Sequence, residues 1–441
     1  MNSNSNSPVN FHSRILIKGG TVIESNSEKK ITKDICIANK KIIAIGNENN
    51  ISVDFTPDFE INAKNKIVCA GLVDCSAKLS ESGEKYKMNI ESELRAAVAG
   101  GVTSIVCTPD KNFSLDHTGA VKMLISKSVA FNKAHIYPLG ALTEGLHGKK
   151  LTEMAKLSDE GCVGFTQANY PIADTQVLMR ALQYASSFNY KVWLNPIDPW
   201  LGFDGVANSG SVSTRLGLSG TPNQSESISI LTVLELIRDL DICIHFCRVS
   251  SERGVQIIRK AKEDGLKVSA DVGIHHLHLT HFDIGDFNSN SKSIPPFRSE
   301  RDREALTDGL LDGTIDCICS DHTPIDTELK NLPFDDAEPG LMGLELLLPL
   351  TLKWGIENKV SLQKTLSFIT SKSSKIIGIK NTELEVGNRA DILIFDEHQS
   401  WTVNSTNLVT KALNSPFYGY EIQGRVQQTI VGGLCVYRAE D

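Results

Sequence analysis

Leu72-Val73-Asp74-Cys75, then Ile90-Glu91-Ser92-Glu93-Leu94-Arg95-Ala96-Ala97-Val98-Ala99, then Val102-Thr103-Ser104-Ile105-Val106-Cys107, read as strand, helix, strand. The outer two are short and mostly apolar, as strands covered on both faces are. The middle stretch spaces its apolar residues three and four apart, as a helix lying on a sheet does. The unit then recurs. From about residue 68 the apolar runs are Leu72 to Cys75, Val102 to Cys107, His135 to Leu139, Cys162 to Phe165, Lys191 to Leu194, Ile242 to Phe246, Lys267 to Ala270 and Ile315 to Cys319. Amphipathic stretches separate them, among them Ser227 to Leu240 behind the capping candidates Ser225 and Ser227. Eight strand-helix repeats predict an α/β fold, a (β/α)8 barrel of the TIM type over residues 68–384.

Both flanks follow a different rule. Short β-branched runs at Ile15 to Ile17, Thr21 to Ile23, Ile35 to Ala38 and Lys41 to Ile45 are separated by turn signals at Gly19-Gly20 and Asn39-Lys40. Ala390 to Phe395, Val426 to Val431 and Leu434 to Tyr437 repeat the pattern near the other end, with Gly432-Gly433 as a hairpin turn. Residues 12–67 and 385–441 are therefore expected to complete one small β-sandwich domain. Residues 1–11, rich in Asn and Ser, read as a disordered tail rather than a targeting signal.

Composition narrows the function. The 441 residues carry a net charge of −8, with Lys and Arg scattered, which leaves no footprint for nucleic acid. The most apolar stretch, Leu341 to Trp354, is broken by Glu345, so no membrane span is expected. Ten cysteines without a Cys-x-x-Cys pair fit reduced thiols and a cytoplasmic protein.

Barrel chemistry sits at the C-terminal ends of the strands. Here those ends offer Ser76 and Lys78 after the first strand, Gln167 after the fourth, Asn195 after the fifth, Arg248 at the sixth, and Asp321 with His322 after the eighth. Zinc takes imidazole, thiolate or carboxylate donors, and a cationic Lys or Arg in the same shell would repel it. His275, His276, His278 and His281 form the densest imidazole cluster, but no Cys or Glu stands near them at ligand spacing, so a metal role is not expected. His245 reads as a hydrogen-bonded core histidine. There is no phosphate loop and no Gly-x-Ser-x-Gly elbow.

Several segments, in order, resemble dihydroorotase signatures: Gly71-Leu72-Val73-Asp74, Gly161-Cys162-Val163-Gly164-Phe165, His245-Phe246-Cys247-Arg248-Val249-Ser250, His275-His276-Leu277, Pro295-Pro296-Phe297-Arg298, Gly313-Thr314-Ile315-Asp316 and Ser320-Asp321-His322-Thr323-Pro324. Pro339-Gly340-Leu341-Met342-Gly343-Leu344-Glu345 and Ala390-Asp391-Ile392-Leu393 carry the likeness to the last sheet. The resemblance implies an amidohydrolase barrel whose zinc site uses two His of an Asp-x-His-x-His motif, a carboxylate after strand four, a His after each of strands five and six, and an Asp after strand eight. Only Asp321 matches; Ser76, Lys78, Gln167, Asn195 and Arg248 occupy the other ligand positions. Ser80 stands where the resemblance implies a substrate-binding Arg, and Asp110 where it implies an Asn.

A kept barrel with an emptied site resembles the inactive dihydroorotase-like subunits that accompany some bacterial aspartate transcarbamoylases. That resemblance implies a pseudoenzyme without metal or other cofactor, a structural subunit that binds the transcarbamoylase catalytic chain in a hetero-oligomer for pyrimidine biosynthesis. Asp321 and His322 would then be vestigial, with Lys78 and Arg248 filling the space of two cations and neutralising Asp321. The alternative is an active dihydroorotase or related cyclic amidohydrolase, acting on dihydroorotate, a hydantoin or allantoin, with an atypical or single-zinc site. The ligand count separates the two, because catalytic zinc normally has three protein ligands.

Overall fold

The computed structural model describes residues 14–23, 31–47, 55–79, 89–202 and 204–440, so the expected tail at 1–11 and the candidate Ser80 lie outside the described residues. Before the barrel come β1 (Ile15–Val22), β2 (Ile31–Ala38), β3 (Lys41–Gly46), β4 (Phe59–Asn62) and β5 (Ile67–Ala70). The barrel strands are β6 (Leu72–Ala77), β7 (Val102–Cys107), β8 (His135–Ala141), β9 (Gly164–Thr166) and β10 (Val192–Leu194). After a two-residue ladder of β11 (Ala207–Asn208) with β12 (Gly220–Thr221) they continue as β13 (Ile244–Phe246), β14 (Val268–Gly273) and β15 (Cys317–Cys319). The chain ends with β16 (Ile392–Thr402), β17 (Glu421–Val431) and β18 (Leu434–Arg438).

All eight barrel runs form strands, each pairing in parallel with the next from β6 round to β15. Between β15 and β6 the ring is closed by a parallel bridge, Ala77 to His322, and by Lys78 N–H donating to the His322 carbonyl at 2.8 Å. Side chains reinforce the seam. Asp74 at the middle of β6 accepts from Ser320 N at 2.8 Å and Ser320 Oγ at 2.5 Å. Inside the ring Val73, Cys75, Val106, Leu139, Trp193, Cys247, Cys317 and Cys319 pack against Ile377 from the helix Ser371–Ile377. The ten cysteines are free, and Cys75 and Cys317 face each other with sulfurs 3.7 Å apart.

The two flanks join in one hydrogen-bonded sheet in the order β18-β17-β16-β5-β1-β2-β3, with β4 beside the first half of β1. β16 runs antiparallel to β5, which ties the end of the chain to its beginning. Two runs read as separate strands, Ile15 to Ile17 and Thr21 to Ile23, belong to the single strand β1: Gly19, at φ 67°, makes a bulge instead of a turn, held by its N–H donating to Asp34 Oδ1 at 2.7 Å. Asn39 and Lys40 at φ 51° and 65° do form a turn, as do Gly432 and Gly433 at φ 54° and 76°, the mirror-type geometry that hairpins favour. The helix expected at Ser227 to Leu240 starts earlier, at Asn223–Leu236. Ser225 and Ser227 are buried within its first turns and do not cap it; Ser225 Oγ instead accepts from Asp198 N at 3.1 Å.

No helix among the described residues is long and apolar enough to cross a membrane.

Candidate functional site

The sequence candidates converge at one end of the barrel, and the backbone there is strained. Ala168, Arg248 and Asp321, just past β9, β13 and β15, hold left-handed φ values of 49°, 54° and 48°. For residues with a Cβ that conformation costs about 1–2 kcal/mol each, so surrounding packing must hold it. Past β15 the packing is visible: a Cβ on Gly343 would lie 2.1 Å from the Ser320 carbonyl oxygen, so the following loop presses directly on the strand end.

At the centre of this end is an ion pair. Arg248 Nη1 donates to Asp321 Oδ1 at 2.6 Å and to the Ile294 carbonyl at 3.1 Å, and both side chains are about 6% exposed. Its Nη2 donates to Asn169 Oδ1 at 2.5 Å, and the same oxygen accepts from Asn195 Nδ2 at 2.5 Å. Arg248 N–H donates to Asp271 Oδ1 at 2.6 Å. Burial pushes the Asp321 carboxyl up, and the guanidinium beside it pulls it back toward the charged form. Arg248 alone makes the contact expected of both cations. The Lys78 side chain makes no hydrogen bond or ion pair among the described residues, and burial together with Arg248 lowers its pKa. Its charge still faces Asp321 and Asp110 at longer range.

The remaining candidates are turned elsewhere. Gln167 is buried against Thr143, donating from Nε2 to Thr143 Oγ1 at 2.9 Å while its Oε1 accepts from that hydroxyl at 3.1 Å. Ser76 is buried at the end of β6, where its carbonyl accepts from Ser320 Oγ at 3.3 Å. Asp110 is held by its own turn, its Oδ1 accepting from Asn112 N at 2.7 Å and Phe113 N at 2.8 Å. His322 is not poised for substrate either. Its Nδ1 accepts from Gly343 N at 3.1 Å, so Nε2 carries the proton and donates to Glu93 Oε2 at 2.7 Å, both side chains being buried. Cavities at this end are small: about 30 Å³ bordered by Asn195 and Arg248, and about 200 Å³ bordered by Gln167, Asn195 and Trp200.

The zinc implied by the resemblance does not fit these donors. Two amides, an ammonium, a guanidinium and a hydroxyl replace imidazoles and a bridging carboxylate, and the remaining carboxylate is bonded to Arg248. The four-histidine segment does not converge on a metal. Nε2 of His275, His276 and His278 donates to the carbonyls of Met342, Pro295 and Leu350, and His281 Nδ1 pairs with Asn208.

One cluster escaped sequence reasoning. His245, Cys247 and Asp271 are buried with their donor atoms within 4.8 Å of one another. Those atoms are already used: Asp271 Oδ2 pairs with His245 Nε2 at 2.8 Å, its Oδ1 accepts from Arg248 N, and His245 Nδ1 pairs with Ser269 Oγ at 2.8 Å. Burial holds the Cys247 thiol well above its ordinary pKa, so it offers no thiolate. The cluster is a polar network that positions Arg248 from below. Asn169, Glu93 and Glu226 were missed as well; Glu226, buried, accepts from the backbone and hydroxyl groups of both Ser250 and Ser251 and fixes the loop after β13. Only for Asn169, two residues past Gln167 on the same strand end, did a sequence signal exist.

Comparison with known proteins places this geometry. A family model described as dihydro-orotase-like matches residues 65–253, and one for the amidohydrolase family matches residues 206–436. The dihydroorotase of Trichlorobacter lovleyi is 36% identical over 423 residues, covering 96% of this chain and 99% of the relative. That of Aquifex aeolicus is 35% identical over 426 residues, with 96% and 99% covered. Among solved structures, the L-hydantoinase of Arthrobacter aurescens superposes with a TM-score of 0.84 at 22% identity, covering 97% of both chains. A dihydropyrimidinase from Brevibacillus agri gives 0.79 at 21% identity, covering 96% of this chain and 95% of the other. At that identity the likeness speaks for the fold alone.

Proposed function

The chain belongs to the dihydroorotase-like family of the amidohydrolases, and from that premise we propose that it is a non-catalytic member, a structural subunit that assembles with the aspartate transcarbamoylase catalytic chain in pyrimidine biosynthesis. The observation that carries the loss of catalysis is the buried Arg248–Asp321 pair at 2.6 Å. It puts a guanidinium where a hydrolase of this fold needs a cation and a water, and it commits the last matching carboxylate. Hydrolysis of a cyclic amide requires an activated water, and Asp321 and His322, the carboxylate and imidazole that match the family motif, are both committed, to Arg248 and to Glu93. An active hydrolase would have to release Asp321 from Arg248 and His322 from Glu93 first.

A barrel with an intact core whose last matching carboxylate is committed to Arg248 leaves its outer surface as the working surface, which supports the assembly role. The experiment has two readouts. Purified protein is assayed with dihydroorotate, and it is mixed with the transcarbamoylase catalytic chain of the same organism on a size-exclusion column. The expected result is no turnover above buffer and a shared, larger peak. Turnover would overturn the non-catalytic reading, and separate elution would overturn the assembly role.

A further inference from the structure

The opposite end of the barrel holds a larger cavity, of about 390 Å³, where β10, β13, β14 and β15 begin and the helix Ser371–Ile377 covers them. Its size falls within the usual range for small-molecule sites, about 300–1,000 Å³. Ile244, Val268, Ile315 and Ile376 supply apolar walls, while Lys191, Lys267, Lys372 and Lys375 supply ammonium groups. Asp316 is the one carboxylate in the lining, and its Oδ2 is already taken by Lys262 Nζ at 2.7 Å and Ala270 N at 2.8 Å.

Two of the lysines, Lys191 and Lys372, are partly buried and form no ion pair among the described residues, although Asp316 faces Lys372 at longer range. Lys191 Nζ donates to the Ile376 carbonyl at 2.6 Å, and Lys372 Nζ lies over the Phe368 ring at 3.9 Å from its centroid. Burial lowers the pKa of both. Lys375 is exposed and makes no ion pair among the described residues, and Lys267 pairs with Asp241 at the rim. A buried ammonium that lacks a counter-anion carries an uncompensated desolvation cost, which an incoming anion would offset. Lysines are point charges on flexible stems, so they fit a compact anionic head of any orientation better than a planar, bidentate one.

We propose that this cavity binds a small organic anion, its apolar body between Ile244, Val268, Ile315 and Ile376 and its phosphate or carboxylate head among the four lysines. The site lies at the end of the barrel opposite Arg248 and Asp321, and His245, which lines it, joins it through Asp271 to the network beneath Arg248. It also carries its own reporter, because Cys243 lines it and is the exposed member of the ten cysteines.

The test uses the full chain and the anionic, apolar dye 8-anilinonaphthalene-1-sulfonate as probe. Expected are saturable binding at about one site per chain and slowing of Cys243 alkylation by iodoacetamide by about fivefold, read by peptide mass spectrometry. Lys267→Glu and Lys375→Glu, both at exposed positions that leave the core intact, should each weaken dye binding about tenfold. Displacement by pyrophosphate rather than benzoate would assign a phosphate head, and the reverse a carboxylate head. No saturable binding, binding that leaves Cys243 alkylation unchanged, unaltered affinity in both variants, or displacement by neither anion would overturn the proposal.

Discussion

The Asp321 carboxylate and the Arg248 guanidinium are each other's only charged side-chain partners within hydrogen-bond reach among the described residues, and both are buried. Removing one member of a buried pair leaves the other charge without compensation, at a cost of about 3–5 kcal/mol. Asp321→Ala should therefore lower unfolding free energy by about that amount in urea titrations, whereas the double variant Arg248→Met/Asp321→Leu should recover most of the loss. A neutral Asp321→Ala would mean that the pair does not hold the strand end. Gly343 gives a second residue-scale prediction. A Cβ there meets the Ser320 carbonyl oxygen at 2.1 Å, so Gly343→Ala should cost about 1–3 kcal/mol or more, with the damage reported locally by faster amide exchange after β15. That Ser76, Lys78, Gln167, Asn195 and Arg248 gather at one end of the barrel was legible in the sequence because position along a barrel strand fixes where a side chain emerges, whereas their standing at zinc-ligand positions is what the dihydroorotase resemblance implies. Which replacement would meet Asp321 was not, since Lys78 and Arg248 have the same charge and similar reach. The left-handed turn at Arg248 and the Ile294 carbonyl beside it decide in favour of the guanidinium.

The segment after β14 should lose stability as pH falls, because its histidines are buried. Burial holds His275 at about 3, and His276 and His278 at about 4, below the ordinary value of 6.5. The unfolded chain therefore gains protons there between pH 6.5 and 4 that the folded chain refuses, and the stability these residues confer, complete above 6.5, is lost as pH falls. Two buried carboxyls act in the opposite sense. Burial raises Asp74 to about 6 and Glu345 to about 7, so the folded chain keeps protons that the unfolded one releases, and their contribution is lost as pH rises through that range. Near pH 5 the three histidines outnumber the two carboxyls, so unfolding free energy should fall by about 1.4 kcal/mol per pH unit on acidification. Glu345→Gln removes one opposing group and should roughly double that slope. An unchanged slope in that variant would show that Glu345 is ionised in the fold. The histidine cluster was visible as a pattern, and its divergence was not. Each ring finds a different backbone carbonyl because the short helical turn Ile274–Leu277 fans them apart.

At the scale of the whole molecule, alternation of apolar runs was enough to find all eight barrel strands, because a parallel strand buried on both faces has little freedom of composition. That the two flanks complete one sheet was legible, but which strands pair was not. The bulge at Gly19 looks like a turn in sequence, and the contact of β5 with β16 joins positions more than 320 residues apart. The barrel rim holds left-handed turns at Ala168, Arg248 and Asp321, which fix where the side chains at the strand ends emerge. A chain with Ser76→His, Lys78→His, Gln167→Asp, Asn195→His and Arg248→His should bind about one or two zinc ions, against a predicted content below roughly 0.1 for the natural sequence. Failure of that variant to bind metal while remaining folded would show that the rim has relaxed beyond the ligand geometry.

The central claim is that an arginine-aspartate pair has replaced a metal site. It is tested most directly by the zinc content of the natural protein, purified without chelator and measured by elemental mass spectrometry. The account predicts a folded protein with less than roughly 0.1 zinc per chain, and about one or two zinc per chain retained through dialysis would contradict it.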